Sequence, residues 1–139
     1  MPKTNSASFI LALIACLFCA GCSTPYQEYS SRGGYSDFEI EETKHFVSFT
    51  GNGYTDLNEV RRYAKYRAAE IAADRGYSYF KILEEHQNES IRSAQLGTGQ
   101  ATDKVFGRPM VSLVVRFYES PPEGGDVLNV DEILNPSTS

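Results

Sequence analysis

Few side chains in this chain have types and spacings that could do chemistry, and none of them matches a catalytic pattern. The metal-binding types are two histidines, His45 and His86, and three acidic residues close to the second in sequence, Glu84, Glu85 and Glu89. Neither histidine belongs to a closely spaced ligand motif, and the acidic residues also suit a solvated strand end. No serine, threonine or cysteine has a histidine and a carboxylate at a spacing that supports nucleophilic hydrolysis. We therefore expect no enzymatic activity, no metal and no cofactor.

The sequence Gly51-Asn52-Gly53, just before a predicted helix, is the candidate for phosphate binding. Free backbone amides at a helix N-terminus favour anions. However, Asp56 and Glu59 place negative charge at that same helix end, and a lone Gly-x-Gly is much weaker than a full phosphate-binding pattern. We favour a strand-to-helix turn in which glycine supplies a positive φ.

Four tyrosines, Tyr54, Tyr63, Tyr66 and Tyr77, could form an aromatic surface for a glycan or a peptide. Such tyrosines more often bury their rings at the margin of a sheet and keep the hydroxyl in water. Packing is therefore the favoured interpretation, with ligand binding as the alternative.

The overall charge excludes one class of partner. At 139 residues the chain fits one domain, and its formal net charge is −5. Loss of residues 1–21, in which Lys3 is the one charged side chain, makes the charge one unit more negative. Binding to nucleic acid requires a basic stripe that neutralises phosphates, and the sequence has none. We expect no nucleic-acid partner.

The N-terminal residues have the pattern of an export signal. A short basic region with Lys3 precedes an apolar run from Ala7 to Ala20, which is shorter than the roughly 20 residues that a membrane span needs. All three cysteines, Cys16, Cys19 and Cys22, lie in residues 1–22, so no disulfide is expected in the folded part.

The residues Ala20-Gly21-Cys22 resemble the lipobox of bacterial lipoproteins, which are cleaved before the cysteine and acylated on it. This resemblance implies lipidation of Cys22. Cys16, preceded by Leu13-Ile14-Ala15, is the alternative, but cleavage there would leave a short apolar region and an apolar LFCAG remnant. A cleaved soluble protein or an uncleaved anchor is the remaining alternative. Ser23 after the cysteine implies sorting to the outer membrane of a Gram-negative cell.

The segment from Thr55 to Gly76 is predicted to be an amphipathic helix. Thr55 is the expected N-cap, and Gly76 is expected to end the helix in a left-handed conformation. Arg67 and Glu70, three residues apart, are expected to form a local ion pair. The predicted buried stripe consists of Leu57, Val60, Ala64, Ala68, Ile71 and Ala72, with Arg62, Tyr66, Ala73 and Asp74 opposite it.

The remaining elements give an α+β fold with about four strands in a mixed or antiparallel sheet and one long helix on one face. Predicted strands are an edge strand at 35–41, with Phe38 and Ile40 inward and acidic residues outward, then 44–50, 77–85 and a central strand at 110–119. The strand–helix–strand order around the helix predicts a right-handed βαβ unit. A short helix is predicted at 130–134, capped by Asn129.

The predicted organisation is a signal peptide at 1–21, a lipidated N-terminus and flexible tether at 22–34, and one domain at 35–135. Within that domain, residues 87–108 form a long polar stretch, of which 88–106 are expected to be a mobile loop. Residues 136–139 are expected to be a frayed tail.

Four stretches, GGYS at 33–36, VSFTGNGYT at 47–55, YRAAE at 66–70 and GYSYF at 76–80, resemble a family of small Gram-negative envelope lipoproteins of unknown function. The resemblance implies lipidation and an α+β domain, and it carries no catalytic residues. We therefore predict a non-enzymatic lipoprotein anchored in the outer membrane and facing the periplasm, with an envelope protein as a candidate partner. The alternative is a periplasmic ligand-binding, sensor or adaptor module that uses residues 87–108 and nearby tyrosines. A hydrolase has no support.

Overall fold

The structure, a computed structural model, describes residues 23–89 and 107–136. The elements in chain order are β1 (Gly34–Glu41), β2 (Lys44–Thr50), α1 (Leu57–Asp74), β3 (Tyr79–Glu89), β4 (Pro109–Tyr118), β5 (Val127–Asn129) and α2 (Val130–Leu134). The strands form a five-stranded sheet of order β1-β2-β4-β3-β5 in which every neighbouring pair is antiparallel. The predicted α+β class is confirmed. The fifth strand was not predicted because β5 has only three residues, too few to show a period.

Strand β4 lies at the centre of the sheet, as its strict apolar alternation predicted. Val111, Leu113, Val115 and Phe117 point to the same face and are buried beneath α1. Strands β2 and β3 both run antiparallel to β4, so they are parallel to each other. The two strands therefore run in the same direction, as the predicted strand–helix–strand unit requires. They are not neighbours in the sheet, however, because β4 lies between them.

The predicted end of α1 is confirmed, whereas its predicted start is wrong by one residue. Asp56, not Thr55, is the N-cap, and its Oδ1 accepts a hydrogen bond from the Asn58 amide at 2.8 Å. Gly76 has φ +82° and ends the helix. The Thr55 hydroxyl bonds to the N-terminal segment instead, a long-range contact that local capping rules do not detect.

The buried face of α1 agrees with the predicted stripe except at Leu57, which is only half-buried. Ala69, outside the predicted stripe, is also fully buried. Because the short helix α2 packs against α1 as well, the buried strip is wider than contact with the sheet alone requires. Ala73, predicted to face away, is exposed.

Strand β1 is at the edge of the sheet as predicted, but its side chains point the opposite way. Asp37 lies on the side of α1, where its Oδ1 accepts from Arg67 Nε at 2.8 Å. Phe38 and Ile40 lie on the open face and are 58% and 44% exposed. The ring of Phe38 stacks on Phe46, with centroids 4.8 Å apart. Because α1 presents the cationic Arg67 to this strand, Asp37 faces the helix and the apolar side chains of β1 face away from it.

Strand β3 extends further than predicted. It begins at Tyr79 and reaches Glu89, which pairs with Pro109 at the start of β4. Residues 87–89 of the predicted polar stretch 87–108 therefore belong to a strand, and β4 begins directly after its last residue. Residues 90–106 lie outside the described residues, and their predicted mobility stays a prediction. The short helix α2 forms at the predicted residues, with Asn129 as its N-cap.

Candidate functional site

The segment from Ser23 to Gly33 packs onto the domain, so the prediction of a flexible tether at 22–34 is wrong for its described residues. Thr24 is fully buried. Its amide donates to Thr55 Oγ1 at 2.9 Å, and its Oγ1 accepts from the Asn52 amide at 2.7 Å. The Thr24 hydroxyl in turn donates to the carbonyl of Arg32 at 3.2 Å. The polar composition indicated a loop correctly, but it did not reveal that two threonine hydroxyls would meet in the interior. We call this set of hydrogen bonds the Thr24 anchor.

The loop 51–55 is organised around the anchor, and three of its backbone amides are bonded within the chain. The Asn52 amide donates to Thr24, the Tyr54 amide to Asn52 Oδ1 at 2.9 Å, and the Thr55 amide to the Asn52 carbonyl at 3.1 Å. Gly51 does not have the positive φ that was predicted. Glycine is required there because a Cβ would lie 2.8 Å from the Cβ of Thr55.

A second cluster, the Tyr26 cluster, ties the N-terminal segment to α1 and β1 through polar groups. The Tyr26 hydroxyl donates to Glu70 Oε2, and Arg67 donates to the same carboxylate at 3.1 Å. Arg67 also bonds to Asp37, and its guanidinium lies 4.4 Å from the centroid of the Tyr35 ring. The predicted Arg67–Glu70 ion pair is confirmed, as one contact in this wider network.

Electrostatics make the Tyr26 cluster a structural clamp. Burial, with the neighbouring Glu70 carboxylate, raises the pKa of Tyr26 well above its ordinary value. Burial alone would lower the pKa of Arg67, but hydrogen bonds to Asp37 and Glu70 outweigh it and raise that pKa. The phenol therefore stays protonated and donates to Glu70, and the guanidinium stays charged.

A groove with a volume of about 670 Å³ opens on the solvent side of α1, between Tyr26 and α2. We call it the α1–α2 groove. Its lining residues are Tyr26, Asn58, Arg61, Arg62, Tyr63, Lys65, Tyr66, Glu132, Ile133, Leu134 and Pro136. Apolar and aromatic groups thus form its walls, and three cations from α1 lie among them. This is the usual composition of a ligand site, and the groove is open to solvent.

The three cations differ in how strongly they are held. Arg61 pairs with Glu85 at 2.7 Å, with both side chains about three-quarters covered. Arg62 forms a longer ion pair with Glu59, with 3.5 Å between the guanidinium nitrogen and the carboxylate oxygen, and its side chain is 71% exposed. Lys65 forms no ion pair within residues 23–89 and 107–136. Arg62 and Lys65 are therefore the cations best placed to meet an incoming anionic group.

The four tyrosines predicted to pack or to bind do not form one surface. Tyr77 stacks on Phe117 with ring centroids 5.7 Å apart, and Tyr63 lies 4.9 Å from Phe49, as the packing interpretation expected. Tyr66 packs edge-on to the ring of Tyr26 beside the α1–α2 groove. Tyr54 is 77% exposed, at the far tip of loop 51–55.

The two histidines are not brought together. His45 is buried on the α1 side of the sheet, where it pairs with Val115, whereas His86 is exposed and pairs with Ser112 on the open face. Burial, with the nearby charge of Arg75, lowers the pKa of His45. Among the residues that the structure describes, no group of three or more His, Cys, Asp or Glu side chains could hold a metal ion.

The predicted lipidation site, Cys22 or its alternative Cys16, lies outside the described residues. No helix within 23–89 or 107–136 is long and apolar enough to cross a membrane. No model of a known protein family, no curated protein and no solved structure matches the chain.

Proposed function

We propose that the protein is a non-enzymatic lipoprotein of a Gram-negative envelope, held in the outer membrane by acyl chains on Cys22 with its domain facing the periplasm. The observation that carries the proposal is the Thr24 anchor. Thr24, two residues after Cys22, is already hydrogen-bonded within the folded domain. Cleavage before Cys22 therefore keeps the whole domain and leaves no apolar residues ahead of the cysteine. Cleavage before Cys16 would leave six further, mainly apolar residues ahead of it.

The lipid supplies the attachment in this proposal. Each buried methylene contributes about 0.8 kcal/mol, so two or three acyl chains on one residue hold a protein durably where one chain is marginal. The chain after residue 22 has no further cysteine, so Cys22 would be the single lipidated residue of the mature protein.

Mass spectrometry of the membrane-extracted protein tests this function. We expect an N-terminal peptide that starts at acylated Cys22. Cys22→Ala should abolish processing and acylation, whereas Cys16→Ala, at the alternative site in the same segment, should leave both intact. A lipidated peptide that starts at Cys16 would move the site, and an unmodified Cys22 in a soluble mature chain would refute the lipoprotein assignment.

The α1–α2 groove supports a second candidate function, the binding of a partner segment. Its apolar walls, with Arg62 and Lys65 beside them, fit a segment of an envelope protein that carries apolar side chains next to acidic ones. The sulfonated dye 8-anilinonaphthalene-1-sulfonate has the same combination of chemistry and serves as a probe. Titration should shift the amide resonances of α2 in the mature chain carrying Cys22→Ser.

Two variants make that titration specific. Ile133→Asp, in the groove, should weaken binding of the dye several-fold. Ile40→Asp, an exposed isoleucine of β1 on the opposite side of the sheet, is the matched control and should leave the shifts of α2 unchanged. Equal effects of the two substitutions would exclude the groove as the binding site.

A further inference from the structure

In the proposed lipoprotein, the acylated cysteine lies very close in sequence to a fixed point of the fold. A residue spans at most about 3.6 Å of extended chain, so the Cα of Cys22 lies within roughly 7 Å of the Cα of Thr24. Thr24 is fully buried and held by its hydrogen bonds to Asn52, Thr55 and Arg32. A flexible tether over residues 23–34 would instead have a root-mean-square length of about 20 Å. The acyl chains are therefore joined to one end of the domain with almost no slack.

That end of the domain is defined by the chain directions. Strand β2 ends there at Thr50, α1 begins there after Asp56, and β4 begins there at Pro109. The backbone confirms the proximity, since the Gly51 amide donates to the Pro109 carbonyl at 2.8 Å. Because α1 has 18 residues, its other end lies about 27 Å away.

The two ends differ in chemistry. Beside the Thr24 anchor lie Tyr54, which is 77% exposed, the exposed Arg32 and the exposed N-cap carboxylate of Asp56. Arg108 is at the same end, where it donates to the Ser31 carbonyl at 2.7 Å. Tyrosine and arginine are residue types that occupy the headgroup layer of a bilayer, with apolar parts inward and polar tips in water.

The far end, in contrast, carries more carboxylates than cations, with Arg75 paired to Glu39 and Arg116 to Glu41. The β1–β2 turn carries Glu41 and Glu42, α1 ends at Asp74, and Glu119 follows β4, all of them exposed. Repulsion from anionic headgroups would keep these carboxylates away from the membrane. Charge and attachment point therefore favour the same orientation.

We propose that the surface formed by loop 51–55, Arg32 and Arg108, the basal surface, rests in the lipid headgroup layer of the membrane that holds Cys22. The inference rests on the proposed lipidation, and it adds a second contact, between the domain itself and the bilayer. The protein then stands upright on the membrane, with the C-terminal end of α1 pointing into the periplasm.

Site-directed spin labelling of the full-length, acylated protein in vesicles of its own membrane lipids tests this. Tyr54→Cys and Glu119→Cys introduce a single thiol each, because the chain after residue 22 has no cysteine and Cys22 carries the lipid. Both side chains are exposed, so folding should be unaffected. We expect the label at position 54 to collide several-fold less often with a water-soluble nickel chelate than the label at position 119.

An insertion provides the matched control. About ten Gly and Ser residues between Ser23 and Thr24 leave the Thr24 anchor in place but add a linker of about 17 Å between the lipid and the domain. The shielding at position 54 should then be lost. Shielding that persists after the insertion would overturn the part of the proposal in which the short attachment holds the basal surface on the bilayer.

The outcomes separate this inference from the proposed function. Mass spectrometry of the same samples reports acylation of Cys22. Equal exposure of positions 54 and 119 in a chain that is acylated at Cys22 would overturn the docked orientation and leave the lipid anchor standing. An unacylated Cys22 would overturn both.

Discussion

Removing the hydroxyl of Thr24 tests whether the N-terminal segment is part of the folded domain. Thr24→Val keeps the shape of the side chain but deprives the Asn52 amide, the Thr55 hydroxyl and the Arg32 carbonyl of a partner. Two of these groups have a substitute nearby. The Asn52 amide lies 3.3 Å from Thr55 Oγ1, and the Thr55 hydroxyl lies 3.0 Å from Asn52 Oδ1.

The expected loss is therefore that of about one buried polar group left without a partner, and not the sum of three bonds. Such a group costs about 1–3 kcal/mol. For a domain of this size, we expect the melting temperature of Thr24→Val to fall by several degrees. Hydrogen exchange adds a local measurement, because the Tyr29 amide donates to the Tyr35 carbonyl and should lose protection if the segment detaches.

Thr43→Val is the control, since it makes the same chemical change at a threonine whose hydroxyl bonds to no described residue. Its unfolding free energy should stay within about 0.5 kcal/mol of the original protein, as for most substitutions away from buried groups. If urea unfolding gave Thr24→Val and Thr43→Val equal stabilities and Tyr29 kept its protection, the anchor would not hold the segment.

Two further predictions concern the core. Ala68→Leu should overpack the contact between α1 and the sheet and lower the unfolding free energy by about 1–3 kcal/mol, whereas the exposed Ala73→Leu should be tolerated; equal thermal melts would contradict the assigned helix face. Because burial and Arg75 lower the pKa of His45, the unfolded chain binds a proton near pH 6.5 while the folded chain does not. The unfolding free energy should therefore fall as the pH drops below about 6.5, by at most about 1.4 kcal/mol per pH unit, until His45 is protonated in the folded state too. Urea unfolding of His45→Phe at pH 7.5 and 5.5 should show a smaller loss, with His86→Gln as the control; an unchanged loss in His45→Phe would contradict the assignment.

Elements with a strong period could be predicted from the sequence. The apolar alternation from Val111 to Phe117 identified the central strand, and the spacing from Val60 to Ala72 identified the buried face of α1. In both cases the apolar residues lie close together in the sequence and repeat at the fixed period of a strand or a helix. Strand β5 was not predicted because three residues are too few to show a period, although it pairs with β3 at the edge of the sheet.

Features that depend on contacts between distant residues could not be predicted. The sequence gives no sign that Thr24 pairs with Thr55, 31 residues later, and a stretch of serine, tyrosine and glycine is typical of a tether. The side-chain orientation of β1 was predicted wrongly for the same reason, because Asp37 points toward Arg67, which is 30 residues later in the sequence. Side-chain direction in an edge strand thus depends on the groups that face it as well as on its own residues.

The Thr24 anchor also determines where a partner could meet the α1–α2 groove. The groove residues of α1 run from Asn58 to Tyr66, within the first ten residues of the helix. At 1.5 Å per residue these positions lie within about 15 Å of the end that holds Thr24. In the proposed orientation, the groove therefore opens sideways, just above the headgroup layer. A segment that fills it would have to be held close to the same membrane, which favours a membrane-associated protein over a freely diffusing periplasmic peptide. Lengthening the chain between Ser23 and Thr24 should then weaken the binding of a membrane-held partner while leaving the binding of the soluble dye unchanged, because only the first depends on height above the bilayer.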